Sequence, residues 1–400
     1  MPDTVDAGAD KAAIAARLLE RARAISPMIR ERADAQEKNR RVDDEVMRAM
    51  CAADIHRVLQ PKRYGGYELD YGFLVDLCWE WGAQCASTAW VTSLLCAHQW
   101  LLGQFPIEAQ DDVWRADPDA LFCGSYAPSG TCERVPGGFR ISGSWMFSSG
   151  CDVSQWAFLS VRLPFDKPVP AFLSVPRKDW TIDDNWHTVG LCATGSKNLV
   201  CKDVFVPEHR HVRIPDLAAG KAPGCIAHGT PLFRVPMLAA IPASISAPAL
   251  GALRGAIADF IDATKVRTTR GAVVAGGQRM AEFAGVQTRV AEASACVDSA
   301  RLMLMRDLAE THAAIERGET IGVDMRIRNR LTHTYLVKQC VTGIDALWAA
   351  GGGGAIFTSN RLQRAWRDIH GVSKHVSFNW DAVSTMYGQW ALGLEPKGQY

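Results

Sequence analysis

The 400-residue chain carries 44 Lys and Arg against 43 Asp and Glu, with no basic stripe or polybasic run, which argues against a nucleic-acid or membrane-surface partner. Its 48% hydrophobic and 22% charged content is that of an ordinary globular protein with room for two or three domains. The N-terminal segment has acids where a secretion signal needs bases, no stretch approaches about eighteen uncharged apolar residues, and the twelve cysteines form no C-x-x-C pair. The expectation is a soluble, cytoplasmic protein whose reduced thiols serve as small apolar groups.

Residues 10–36 read as a helix, because Ile14, Leu18, Ala22, Ile25 and Ile29 recur at helical spacing around Pro27. Further helices are expected at 43–53, 69–84, 86–104 and 107–116, with the Gly- and Pro-marked loop LQPKRYGGYELD between the first two of these. From about Ala120 to Arg213 the pattern changes to short β-rich runs, among them FRISGSWMFSSG, WAFLSVRL, AFLSV and NLVCKDVFVP, which suggests a small barrel or sandwich. The Pro-, Gly- and Ala-rich segment 214–247 reads as a connection. Long helices return at 247–269, 281–317, 323–350 and 359–376, as an antiparallel bundle requires. The fold class is mostly α with a central β-domain: an N-terminal helical domain (1–118), a β-barrel domain (119–225) and a C-terminal four-helix bundle (226–400).

Several motifs fail. Gly190 and Gly195 have P-loop spacing, but Ser196 precedes Lys197 and a strand follows. Neither G-x-G-x-x-G nor G-x-S-x-G occurs, so a nicotinamide fold and a hydrolase elbow lack support. His209 and His211 are too few for a metal centre. The glycines 351–354 fit either a linker or a close backbone approach.

Four segments, in order, resemble the acyl-CoA dehydrogenase superfamily: LQPKRYGG, RISGSWMFSSG, GLCATGSKNLVCKDVFVPEH and RLQRAWRDIHGVSKH. A dehydrogenase of this kind needs a glutamate base beyond the R-D pair or on the first bundle helix, and both places lack one here. The departures resemble the branch of two-component flavin-dependent monooxygenases, through STAWVTSLLCAHQW, W-x-F-S-S-G and R-D-I-H-x-x-x-x-H.

That resemblance implies reduced flavin (FMNH2 or FADH2) from a separate NAD(P)H-dependent reductase, O2, a small aromatic substrate hydroxylated through a C4a-hydroperoxyflavin, and a homotetramer. It implies that Ser148 and Ser149 lie beside flavin N5, that Trp145 and Phe147 wall the ring, and that Thr194, Ser196 and either Arg267 or Arg270 add cofactor contacts. His375 is expected to be the base that takes a phenolic proton, a role suited to an imidazole. By the same resemblance His98 and Ser125 are expected to hold the substrate hydroxyl, although a histidine in so apolar a helix also reads as a satisfied core residue. His370 reads as packing. The rival readings are a thioester desaturase with an unusual base and a flavin-fold assembly module without catalysis.

Overall fold

The computed structural model describes residues 11–269 and 277–400. Helix α1 (Lys11–Asn39) buries the expected stripe from Ile14 to Ile29 and extends it through Ala33 and Gln36. Asp43 starts α2 (Asp44–Ala52) by accepting the Glu45 N–H, and Asp70 starts α3 (Tyr71–Trp81) by accepting that of Gly72. Helices α4 (Ala86–Gly103) and α5 (Ile107–Trp114) complete the first helical part.

Eight strands follow: β1 (Phe122–Ser125), β2 (Thr131–Val135), β3 (Gly138–Ser148), β4 (Trp156–Leu163), β5 (Val169–Pro176), β6 (Thr181–Asp183), β7 (Lys197–Pro207) and β8 (His211–Arg213). They form two four-stranded sheets, β1-β4-β5-β8 and β2-β3-β7-β6, around a core that includes Phe139, Ile141, Leu159, Leu173 and Leu199. Among the described residues no strand of one sheet pairs with a strand of the other. Of the two architectures suggested by the strand spacing, a barrel or a sandwich, the β-domain takes the two-sheet form.

The register of β3 against β7 shifts between Trp145 and Ser148, and Phe147 takes a left-handed φ of 63°. This irregularity breaks the strict alternation of faces. Trp145 points into the sandwich, fully buried, with its Nε1–H on Ser160 O at 2.7 Å, while Met146 and Phe147 both face outward. The expectation that Trp145 walls a flavin is corrected: the bulge assigns that side of the strand to Phe147.

Segment 214–247 is also not a plain connection. It holds α6 (Ile214–Ala219), α7 (Pro223–His228), α8 (Pro231–Arg234) and the first third of α9 (Met237–Val266), which runs through Pro242 and Pro248. Pro248 has no N–H for the carbonyl of Ser244, and the hydroxyl of Ser93 on α4 donates to that carbonyl instead. A proline inside a helix is tolerable when a neighbour answers the freed acceptor. By length and composition α9 is apolar enough to cross a membrane, contrary to the sequence expectation, but 83% of its apolar window is buried inside the protein.

Helix α9 packs with α10 (Ala284–Glu316), α11 (Val323–Gly351) and α12 (Arg361–Ser373), the four helices expected. A further helix, α13 (Trp380–Ala391), escaped the sequence reading and packs on α11. Helices α3 and α9 meet backbone to backbone: a Cβ on Gly251 would lie 1.9 Å from Cys78 O, and one on Gly82 would lie 2.9 Å from the Gly251 Cα.

Trp145→Ala should lower the unfolding free energy by ~3–5 kcal/mol, the usual cost of removing a large buried aromatic. Chemical denaturation measures it, and a loss below about 1 kcal/mol would contradict the inward placement.

Candidate active site

Helix α4 is buried at every position except Leu94 and His98, which are one turn apart and partly open. With Trp90 they form one face at i, i+4 and i+8. The Nδ1 of His98 lies 2.6 Å from Phe122 O, and a carbonyl can only accept, so Nδ1 carries the proton and Nε2 is the bare nitrogen of a neutral ring. Burial pushes this imidazole down to about 4. Its edge meets Phe158 at 5.6 Å, and the position opposite is Gly124, followed by the buried Ser125 at the end of β1.

Trp90 joins this helix to the β-domain. Its Nε1–H donates to Ser149 Oγ at 3.0 Å, Ser149 and Ser196 share a hydrogen bond of 2.7 Å, and Ser196 shares another of 2.7 Å with Thr194. Three hydroxyls predicted as cofactor contacts therefore form one continuous chain. Beside it Phe147 is 63% exposed and meets Trp186 edge-on, while the Ser148 hydroxyl is buried with no hydrogen-bond partner.

The R-D pair of α12 holds this hydroxyl chain in place. Asp368 Oδ1 accepts the Leu191 N–H at 2.6 Å, and Arg367 donates to Val189 O. A Cβ on Gly190 would lie 2.2 Å from Arg367 O, so this glycine permits a close approach and cradles no phosphate. Burial raises the Asp368 carboxyl to about 6. Arg364, also buried, pairs with Glu37 and Asp34 on α1.

His375 follows α12. Its Nδ1 accepts the Ser377 N–H at 3.1 Å, which places the proton of the neutral ring on Nε2, the reverse of His98. Its ring lies 5.8 Å from that of Trp90 and 5.7 Å from that of Phe378. Burial first, then the positive charge of Arg330, pushes it down to about 4. His370 points elsewhere, to Asp345 at 2.9 Å and to the face of Trp366.

Other expected residues lie apart from this cluster. Arg267 donates to Gly351 O at 2.6 Å and closes the end of α11, and Arg270 lies outside the described residues. His209 pairs with Asp112, and His211 with the carbonyl of Glu208. Trp90 and Ser377 were missed from sequence, although the i, i+8 relation of Trp90 to His98 was a usable signal.

The chain matches the acyl-CoA dehydrogenase N-terminal domain over residues 17–115 and the acyl-CoA dehydrogenase C-terminal domain over residues 243–380. The chain belongs to the acyl-CoA dehydrogenase family. It is 44% identical to the FADH2-dependent resorcinol hydroxylase, oxygenase component, of Rhizobium sp. (strain MTP-10005), with 96% of each chain covered. The crystal structure of 3-HSA hydroxylase from Rhodococcus sp. RHA1 superposes with a TM-score of 0.91 at 33% identity, covering 96% of this chain and 98% of that one. XiaF from Streptomyces sp., solved with FADH2 and glycerol, gives a TM-score of 0.89 at 28% identity, with 97% and 98% covered. Within the family, the chain belongs to the flavin-dependent monooxygenases, as an oxygenase component that relies on a separate supply of reduced flavin.

A histidine held neutral in the fold lowers stability in acid. The unfolded chain binds protons below about 6.5 that folded His98 refuses until about 4, so stability falls with pH across that window and is unaffected above it. Replacing His98 with Asn should remove this component. Urea unfolding at about pH 7 and about pH 5 should show a smaller acid loss for the variant, and equal losses would contradict the neutral assignment.

Proposed function

We propose that this protein hydroxylates a small phenolic aromatic, using O2 and reduced flavin supplied by a separate reductase, and that the two neutral histidines divide the proton handling. The supporting observation is their opposed hydrogen bonding. His98, its Nδ1–H held by Phe122 O, keeps a bare Nε2, whereas His375, packed against Trp90 with its Nδ1 held by the Ser377 N–H, keeps an Nε2–H. This revises the expectation from sequence, in which His375 was the base. The Nδ1 of His375 is already engaged by the Ser377 N–H, so its free nitrogen is a donor. His98 is the group that takes the phenolic proton.

The residues present fit a flavin. An outward aromatic at Phe147, a chain of hydroxyls from Ser149 to Thr194, and a buried Ser148 hydroxyl without a partner offer a flat face and polar edge contacts. Phe147, Ser149, Ser196 and Thr194 would hold it. Bound reduced flavin supplies the two electrons that activate O2, one oxygen atom entering the ring and the other leaving as water. The protein's own part is to bind the phenol at His98 and Ser125 and remove its proton, which makes the ring more electron-rich. It also keeps water out with the apolar rings of Trp90, Phe158 and Phe378, and fixes a donor at His375. The name of the Rhizobium relative favours FADH2 over FMNH2, and the family favours a homotetramer in the cytoplasm.

Desaturation of a thioester is the weaker reading. Of the acids on α9, Asp259 is bound to Arg30 and Arg361 and Asp262 to Lys265, and no acid lies between Asp368 and Asp381.

Mixing anaerobic protein and reduced flavin with oxygenated buffer should restore the oxidised-flavin colour slowly; restoration as fast as without protein would remove the oxygenase reading. His98→Ala should lower product formation by about 10²-fold or more, recovering as pH rises toward the ~10 of a phenol. A flat pH profile in that variant would take the base role from His98. His375→Ala should divert turnover from product to hydrogen peroxide, and an unchanged product-to-peroxide ratio would exclude it.

A further inference from the structure

Among the described residues three arginines are buried: Arg57, Arg330 and Arg364. Arg57 binds Asp119, and Arg364 binds Glu37 and Asp34. Arg330, on α11 and 6% exposed, pairs with no carboxylate among the described residues. Its Nε donates to Gln399 O and its Nη2 to Ser377 O, both at 3.3 Å, and its buried Nη1 has no acceptor. Two long bonds to neutral carbonyls do not offset the desolvation of a guanidinium. The site is therefore short of one anion.

The surroundings indicate where that anion comes from. Ser377 is the residue whose N–H engages His375, and Gln399 takes the hydroxyl of Tyr126 through its side-chain oxygen at 3.5 Å. Tyr126 directly follows Ser125. One turn along α11, His333 is buried with both ring nitrogens unpartnered, and burial with the Arg330 charge pushes it down to about 3. Being neutral, it does nothing to offset the guanidinium charge, and Arg326, one turn earlier on α11, adds a second cation that donates to Tyr400 O. Arg330 thus stands between the turn of His375 and the strand end that carries Ser125, the two walls assigned to the substrate.

We propose that Arg330 receives an anionic oxygen of the aromatic substrate, so that the site takes phenols bearing a second acidic group, either a carboxylate or a second hydroxyl that ionises on binding. This specificity role rests on the reading of His98 and His375 as the substrate-facing pair. The competing explanation is that Arg330 only fastens the C-terminal segment through the carbonyls of Ser377 and Gln399.

Equilibrium binding of 3-hydroxybenzoate, resorcinol and phenol to the flavin-free protein separates the two. The wild type should bind 3-hydroxybenzoate or resorcinol more tightly than phenol. Arg330→Met should weaken whichever of the two is preferred by about thirtyfold or more, the lower end for removing one partner of a buried charge pair, and leave phenol unchanged. Arg330→Lys should restore most of the loss, and thermal unfolding establishes that both variants are folded. A loss confined to 3-hydroxybenzoate assigns a carboxylate, and one confined to resorcinol assigns a second hydroxyl. Equal weakening of all three ligands, no weakening of any, or a wild type that prefers phenol overturns the proposal. The flavin reoxidation assay is independent of these measurements, so a failed oxygenase reading is recognised separately.

Discussion

The hydrogen bond from the Trp90 indole to Ser149 is the contact on which the site depends. It joins three stretches far apart in the chain: the helix that carries His98, the strand end that carries Ser149, and the turn of His375, whose ring meets the same indole. A buried hydrogen bond of this kind contributes only about 1 kcal/mol net, so its importance is positional. It occupies one acceptor site of the Ser149 hydroxyl and leaves that group to share a hydrogen bond with Ser196, and through it with Thr194. A small displacement of the indole would loosen both the hydroxyl chain and the imidazole beside it.

The R-D pair near the end of α12 has a complementary part. In sequence it served as a landmark for finding a base. In the fold, Arg367 and Asp368 grip the loop from Val189 to Leu191, and Arg364 ties the same helix to α1. The first and the last long helices thus converge on the loop that leads into the hydroxyl chain. A carboxylate that burial raises to about 6 is tolerated because an N–H is aimed at it.

Much of this was legible in the residues. Helical spacing marked α1, the change of character near Ala120 marked the sheets, and the missing glutamates separated oxygenation from desaturation. Other features depend on contacts no local pattern carries. The resemblance implied Trp145 as a ring wall, and an extra residue in β3, which no local pattern marks, reverses the faces after it. Pro242 and Pro248 disguised the start of α9, whose freed Ser244 carbonyl is answered by a serine more than a hundred residues earlier. The tautomers of His98 and His375 turn on which nitrogen meets a carbonyl and which meets an amide. Arg330 lies in a helix dense with charge, where a buried cation reads like a solvated one.

The glycine contact between α3 and α9 has a wider bearing. Because the backbones at Gly82 and Gly251 touch, the distance between these helices is set by main-chain atoms and not by the bulk of any side chain. Such a spacer does not respond to the composition of the neighbouring core. Side chains around this contact can then change in bulk without altering how far apart the two helices stand.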